Sequence, residues 1–212
     1  MVTESALAEI VGKGKVNADP ATLDAFAGDL SFVGRLLPQF VVKVGDPETI
    51  QKLVTLAKET GTPLVPVSSG GPHFHGDTVP SEAGAVIVDL SGMKKVDLVD
   101  PFERVASMVE PGVTFGELSA AVAKRGLRLN MPLRPRATKS VVGSMLSREP
   151  VIMPHYHWDI SDPIGSTEVV FGTGDMFRTG AAAGPGDIAQ QRAGGGVQKE
   201  AAGPSAMSLH RL

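Results

Sequence analysis

The chain has 212 residues, 42% of them apolar and 20% charged, with a formal net charge of −3 and no cysteine. That length supports one good core or two small subdomains. The missing cysteines exclude disulfides, thiolate catalysis, zinc–thiolate sites and iron–sulfur ligation within it, and the acidic balance argues against a nucleic-acid partner gripped through its phosphates.

In chain order, residues 3–12 and 20–27 read as short helices, the second started by Asp19-Pro20. "FVVKV" at 40–44 has strand character. "DPETIQKLVTLAKETG" follows, with Asp46 as N-cap, Pro47 at the first helical position and Gly61 just past the end. Its apolar Ile50, Leu53, Val54 and Ala57 recur at helical spacing, so the segment predicts an amphipathic helix. "PLVPV" at 63–67, "AVIVDL" at 85–90 and "VASMVEP" at 105–111 read as strands. "TFGELSAAVAKRG" opens with a capping box, Thr114 with Glu117, and closes on Gly126. "STEVVFGTGDMFRTG" at 166–180 reads as a hairpin turning on Gly-Thr-Gly-Asp. From about Gly180 the chain becomes rich in Ala, Gly and Pro without a period, the composition of a connector or tail. The order implies an α+β or α/β architecture. No run approaches eighteen apolar residues, so no membrane span is expected. The opening residues put acid before base and lack the apolar stretch of a secretory signal, so the expected location is cytoplasmic.

The chemistry concentrates in "VSSGGPHFHGD", positions 67–77. A strand ending in small residues exposes successive backbone N–H groups, and glycines let them face one concavity, a ready anion nest. Ser68 and Ser69 add hydroxyls, while Gly70 and Gly71 admit close approach. The stretch lacks the G-x-G-x-x-G fingerprint and the Walker Gly-Lys-Ser/Thr, so neither of those phosphate loops is present. An ordinary loop between strands is the alternative. "PHYHW" at 154–158 repeats the His-x-His pattern. His73, His75, His155 and His157 could together ligate one metal, as in a cupin-like protein, since residues i and i+2 of an extended segment point the same way. Otherwise Phe74 and Tyr156 anchor their loops in the core and the histidines face a cleft. "RPRATK" at 134–139 gathers positive charge and reads as a solvated loop; Arg134 or Arg136 holding a carboxylate or phosphate is the functional version.

Taken together, "PVSSGG", "VIVDLSGMKKV", "VEPGVTFGEL", "SVVGSML" and "DPIGSTEVVFGTGDMFRTG" resemble, in order and spacing, the PCMH-type FAD-binding domain of the vanillyl-alcohol-oxidase/glycolate-oxidase flavoproteins. The resemblance runs from about Leu37 to Leu212. It implies an α+β fold in which two small subdomains clasp FAD, here 37–112 and 113–180. A helical segment, 1–36, precedes them, and 181–212 follows as a connector or tail. It also implies a flavin-dependent oxidoreductase acting on a small hydroxylated substrate of the 2-hydroxy acid or alcohol type. A fragment without cofactor is the remaining alternative.

Carried over by position, the resemblance assigns cofactor contacts to Val67, Ser68, Ser69, Gly70, Gly71 and Pro72, with His73 and His75 beside them. Ser140, Val142, Gly143 and Ser144 fall on the flavin-contacting "T-I-G-G" segment, Pro132 on a proline near the cofactor, and Ile164 on the residue enclosing the adenosine end. His155 and His157 become acid–base candidates. This sequence departs from the pattern in two ways that bear on the cofactor. Ser144 replaces the second glycine of "G-G". Pro72 has no N–H to donate, and it occupies the place where some relatives attach flavin through histidine, so FAD is expected to bind non-covalently. "SLHRL" at 208–212 matches the point after which the family continues with a glycine-rich segment and a substrate domain. The second subdomain is therefore expected to be incomplete here. Its completion would come from a second polypeptide or a missing C-terminal domain, with a homo-oligomer as a further arrangement.

Overall fold

The computed structural model describes residues 2–99, 106–129, 134–147 and 167–178. Thr3 caps helix α1 (Glu4–Val11), its hydroxyl accepting from the Ala6 amide at 3.3 Å. A two-residue strand β1 (Val16–Asn17) follows, then α2 (Pro20–Ala25), capped by Asp19. Strand β2 (Phe40–Lys43) leads into α3 (Pro47–Thr60). Asp46 accepts from the Thr49 amide at 2.7 Å, Pro47 occupies the first turn, and Gly61 ends the helix in the left-handed region.

Strands β3 (Leu64–Val67) and β4 (Val86–Asp89) complete a four-stranded sheet of order β1-β2-β4-β3. The last of these strands in sequence, β4, lies between β2 and β3 and parallel to both, and β1 closes one edge antiparallel. A central parallel strand is buried on both faces, which explains the unbroken apolar run of β4. Val86 and Val88 pack with Phe40, Val42, Leu7 of α1 and Leu53 of α3. Ile87 points the other way, to Val41, Val67 and the half-buried Leu23 and Phe26 at α2. Full burial of a side chain such as Leu53, 1% exposed, contributes about 2 kcal/mol.

A second core forms around α4 (Phe115–Ala123), whose Phe115, Leu118 and Val122 pack with Val113 and Val141. The antiparallel pair β5 (Val96–Val99) and β6 (Ala106–Val109) adds Val96, Leu98 and Val109. The expected capping box is present: Thr114 accepts from the Glu117 amide, and Glu117 accepts from the Thr114 amide at 2.8 Å. The helix stops at Ala123, short of the expected Gly126, because Lys124 to Gly126 unwind into a turn. Helix α5 (Val141–Leu146) follows. The expected hairpin is β7 (Glu168–Val170) and β8 (Met176–Arg178), joined across the strands by a 2.6 Å Arg178–Glu168 ion pair. It touches α3, where Gln51 Nε2 donates to the Gly174 carbonyl at 2.8 Å. The architecture is α+β, in two small cores, as expected. The 181–212 stretch lies outside the described residues.

Candidate functional site

Strands β2, β3 and β4 are parallel, so Lys43, Val67 and Asp89 end on one edge of the sheet. Insertion of β4 between β2 and β3 makes that edge a switch point, where ligands characteristically bind α/β sheets. The Ser-Ser-Gly-Gly turn leaves β3 there.

Hydrogen bonds carry the second core to the same place. The Leu90 amide bonds the Val67 carbonyl at 2.8 Å, and the Gly112 amide bonds the Met93 carbonyl at 2.9 Å. Gly112 is packed so closely that a Cβ would lie 2.6 Å from the carbonyl oxygens of Leu90, Ser91 and Met93. Segment 137–141 is then laced to 111–116. The Gly116 amide donates to Ala137, Phe115 to Lys139 and Val141 to Val113. Ser140, 2% exposed, donates its hydroxyl to the Pro111 carbonyl and accepts from the Gly143 amide at 3.0 Å, capping α5. The first turn of α5 thus arrives beside the turn after β3: a Cβ on Gly143 would sit 3.3 Å from Ser68 Oγ.

The result is one pocket, walled on one side by Ser68, Ser69, Pro72, His73 and His75 and on the other by Ser140, Gly143 and Ser144. Eight of the residues assigned to cofactor contacts from sequence therefore meet. Gly70 and Gly71 sit exposed at the tip of the turn and do not line the pocket, Val67 is buried in the first core, and Val142 is half-buried outside the lining. Pro132, Ile164, His155 and His157 lie outside the described residues. The four-histidine metal reading falls partly there as well; among the described residues no group of three or more His, Cys, Asp or Glu could hold a metal.

Two readings change. Phe74 is 49% exposed, so it is no core anchor. The "RPRATK" loop is not simply solvated: Arg136 and Lys139 are half-buried and line the pocket, with Arg136 Cζ 5.4 Å from the Phe74 ring centroid. The sequence signal was available in the loop's position just ahead of "SVVGSML", but charge alone did not reveal its burial. Asp29 was missed altogether. Its carboxylate accepts from the Ser31 and Gly76 amides at 2.9 and 2.7 Å, and the Leu30 amide bonds the His73 carbonyl. This loop therefore supports segment 73–76 from behind. The hydrogen bond with the Ser31 side chain is the main cause holding the Asp29 carboxyl below its usual range.

Among the described lining residues Arg136 and Lys139 are cationic and Asp77 is the one carboxylate. Burial pushes the His73 imidazole below the ordinary histidine range and Arg136 acts the same way, against Asp77, Asp29 and a backbone hydrogen bond with Ser69. Burial likewise lowers the Lys139 ammonium, with the Arg136 charge adding to it and Asp77 opposing. Ser144 is fully buried, and its hydroxyl has no hydrogen-bond partner among the described residues. Such a hydroxyl costs about 1–3 kcal/mol unless an acceptor or donor reaches it.

Residues 38–180 match the family model described as an FAD binding domain. The 4-cresol dehydrogenase [hydroxylating] flavoprotein subunit of Pseudomonas putida is 31% identical over 70% of this chain and 28% of its own length. Among solved structures, p-cresol methylhydroxylase with substrate bound superposes with a TM-score of 0.71 at 26% identity, covering 90% of this chain and 38% of that one. The 4-ethylphenol oxidase of Gulosibacter chungangensis, in its isoeugenol complex, gives 0.66 at 27% identity, covering 88% and 36%. The chain thus spans between about a quarter and two fifths of the length of these relatives. Among the described residues no helix is long and apolar enough to cross a membrane.

Proposed function

Because this chain belongs to the family of FAD binding domains, we propose that it holds the FAD of a flavin-dependent oxidoreductase in the pocket between the β3 turn and α5. The observation that carries the reading is the approach of Gly143 to Ser68, which leaves backbone on one wall and hydroxyls on the other. The donor set suits FAD. Ser68 and Ser69 offer hydroxyls to the pocket next to the exposed Gly70 and Gly71 at the tip of the turn, and donors of this kind suit phosphate oxygens. Gly143 lets a flat ring system or its ribityl chain lie close, and the buried Ser144 hydroxyl has a hydrogen bond to give. Ser140 positions both by capping α5. Val67 and Val142 contribute through their backbone only, Pro132 and Ile164 by the family pattern, and His73 and His75 as lining.

FAD, when bound, supplies a ring that accepts a hydride equivalent. The chain's own part is to bind it, orient it and keep it from water. The reaction proposed is oxidation of a small hydroxylated substrate; 2-hydroxy acids, alcohols and phenols are the classes to test, the last because the relatives' names specify cresol and ethylphenol. His155 and His157 are the proposed acid–base groups. Substrate contacts would come from a further domain or a second polypeptide, a proposal supported by the relative named as a flavoprotein subunit and by the fraction of the relatives that this chain spans. A homo-oligomer is compatible with the same need. The proposed division is 37–112 and 113–180 for the two cofactor-clasping units, with 1–36 packed onto the first and 181–212 as connector. The proposed compartment is the cytoplasm, where a cysteine-free chain forgoes no disulfide.

Attachment is proposed to be non-covalent, since Pro72 stands at the histidine position. Acid precipitation of the flavin-loaded protein tests it. Flavin released into the supernatant is expected; flavin retained in the pellet would overturn the non-covalent reading. A protein that cannot be loaded with FAD at all would overturn the site itself.

A further inference from the structure

The loop ahead of α5 does more than deliver the Ser140 cap. Arg134 is exposed, but Arg136 and Lys139 turn inward and share the pocket wall with Ser68, Ser69 and His73. Asp77 is the one carboxylate among the described lining residues. The Arg136 guanidinium lies against the half-exposed Phe74 ring, a contact that fixes a planar cation in orientation without satisfying its N–H groups. Its Nε is buried and has no hydrogen-bond partner among the described residues. A desolvated cationic donor is unfavourable unless an acceptor arrives. Burial first, and then the Arg136 charge, lower the affinity of Lys139 for its proton, with Asp77 opposing.

We propose that Arg136, presented on the face of Phe74, is a phosphate-binding arm that grips the diphosphate of FAD and makes the pocket discriminate FAD from riboflavin. The inference rests on the FAD site proposed above. A diphosphate fits better than a carboxylate for two reasons. The arm shares its pocket with the serine hydroxyls of the glycine turn, and a guanidinium fork matches two phosphate oxygens at once while the Lys139 ammonium adds charge. Phe74 then serves as a platform for the arginine, which accounts for a large aromatic ring left half in solvent at this position.

Dissociation constants for FAD and riboflavin, read from flavin fluorescence at low and high salt, test the arm on the full chain, with a thermal melt for each variant. The wild type is expected to prefer FAD clearly. Arg136→Gln should weaken FAD about tenfold, leave riboflavin unchanged and flatten the salt dependence. Arg136→Lys should retain part of the affinity. Phe74→Leu should weaken FAD selectively, because the arginine loses its platform. Unchanged FAD affinity in Arg136→Gln, or equal weakening of FAD and riboflavin, would overturn the arm while leaving the FAD site standing. A folded wild type that binds neither flavin would overturn both.

Discussion

Ser140 Oγ donates to the Pro111 carbonyl at 2.7 Å and thereby ties the cap of α5 to the turn that precedes α4. One hydroxyl serves two half-buried partners, since it also accepts from the Gly143 amide. Ser140→Ala would orphan both. The expected loss is about 1–3 kcal/mol of unfolding free energy by urea titration, the range for a lost cap plus a stranded carbonyl. A loss below about 0.5 kcal/mol, the level of an ordinary surface substitution, would show that α5 holds without this bond.

Gly112→Ala should be more damaging than its size suggests. The three atoms that its Cβ would meet at 2.6 Å are carbonyl oxygens of one tight turn, which cannot rotate aside as a side chain would. Overpacking of this kind costs about 3 kcal/mol. A markedly lower melting temperature, with loss of flavin binding, is the expected outcome; an unchanged melt would mean that the 90–93 turn yields.

Gly70→Asp and Gly71→Asp separate binding from folding. A Cβ at Gly70 meets nothing within 4 Å, and at Gly71 the nearest atom is His73 Cδ2 at 3.9 Å. Both variants should melt like the parent. Each adds a carboxylate to the turn whose serines are proposed to meet the diphosphate, and should weaken FAD by about tenfold in a direct titration. Parent-like affinity in both would move the phosphates elsewhere.

The lowered pKa of His73 sets the sign of a pH effect. Its folded value lies below the unfolded value of about 6.5, so its contribution to stability is complete above that pH and is lost as pH falls toward the folded value. A bound phosphate favours the imidazolium, so FAD binding should take up a proton and tighten as pH falls. The charged groups acting on His73 are Asp77, Asp29 and Arg136. His73→Gln should flatten both profiles, in urea melts and in FAD titrations from pH 5 to 8. Superimposable profiles for variant and parent would remove His73 from the linkage.

The parts legible in the sequence are those that local chemistry determines. Asp46-Pro47 and Gly61 bracket α3, Thr114 and Glu117 mark the start of α4, and the apolar run at 85–90 marks the doubly buried β4. The elements missed are held by distant partners. Strand β1 is two residues long and exists through pairing with β2, β5 is completed by β6, and α5 is six residues interrupted by Gly143 and Ser144, both poor helix formers. The glycine turn and the residues of α5 were legible as family landmarks. The inward turn of Arg136 and the brace from Asp29 were not, because each depends on a tertiary contact, with Phe74 and with Gly76.

The bond from Gln51 to the Gly174 carbonyl spans 123 residues, which has a consequence during synthesis. A ribosome delivers β1 to β4 and α3 first, so the sheet can assemble once Asp89 has emerged, while α3 must wait for the hairpin until Arg178 has been made. A waiting helix with a greasy outer face would invite aggregation. The face that meets the hairpin instead carries Gln51 and Thr55, and the Thr55 hydroxyl is already satisfied by the Gln51 carbonyl at 2.9 Å. The same surface can therefore be wetted while the chain is nascent and covered when it is finished.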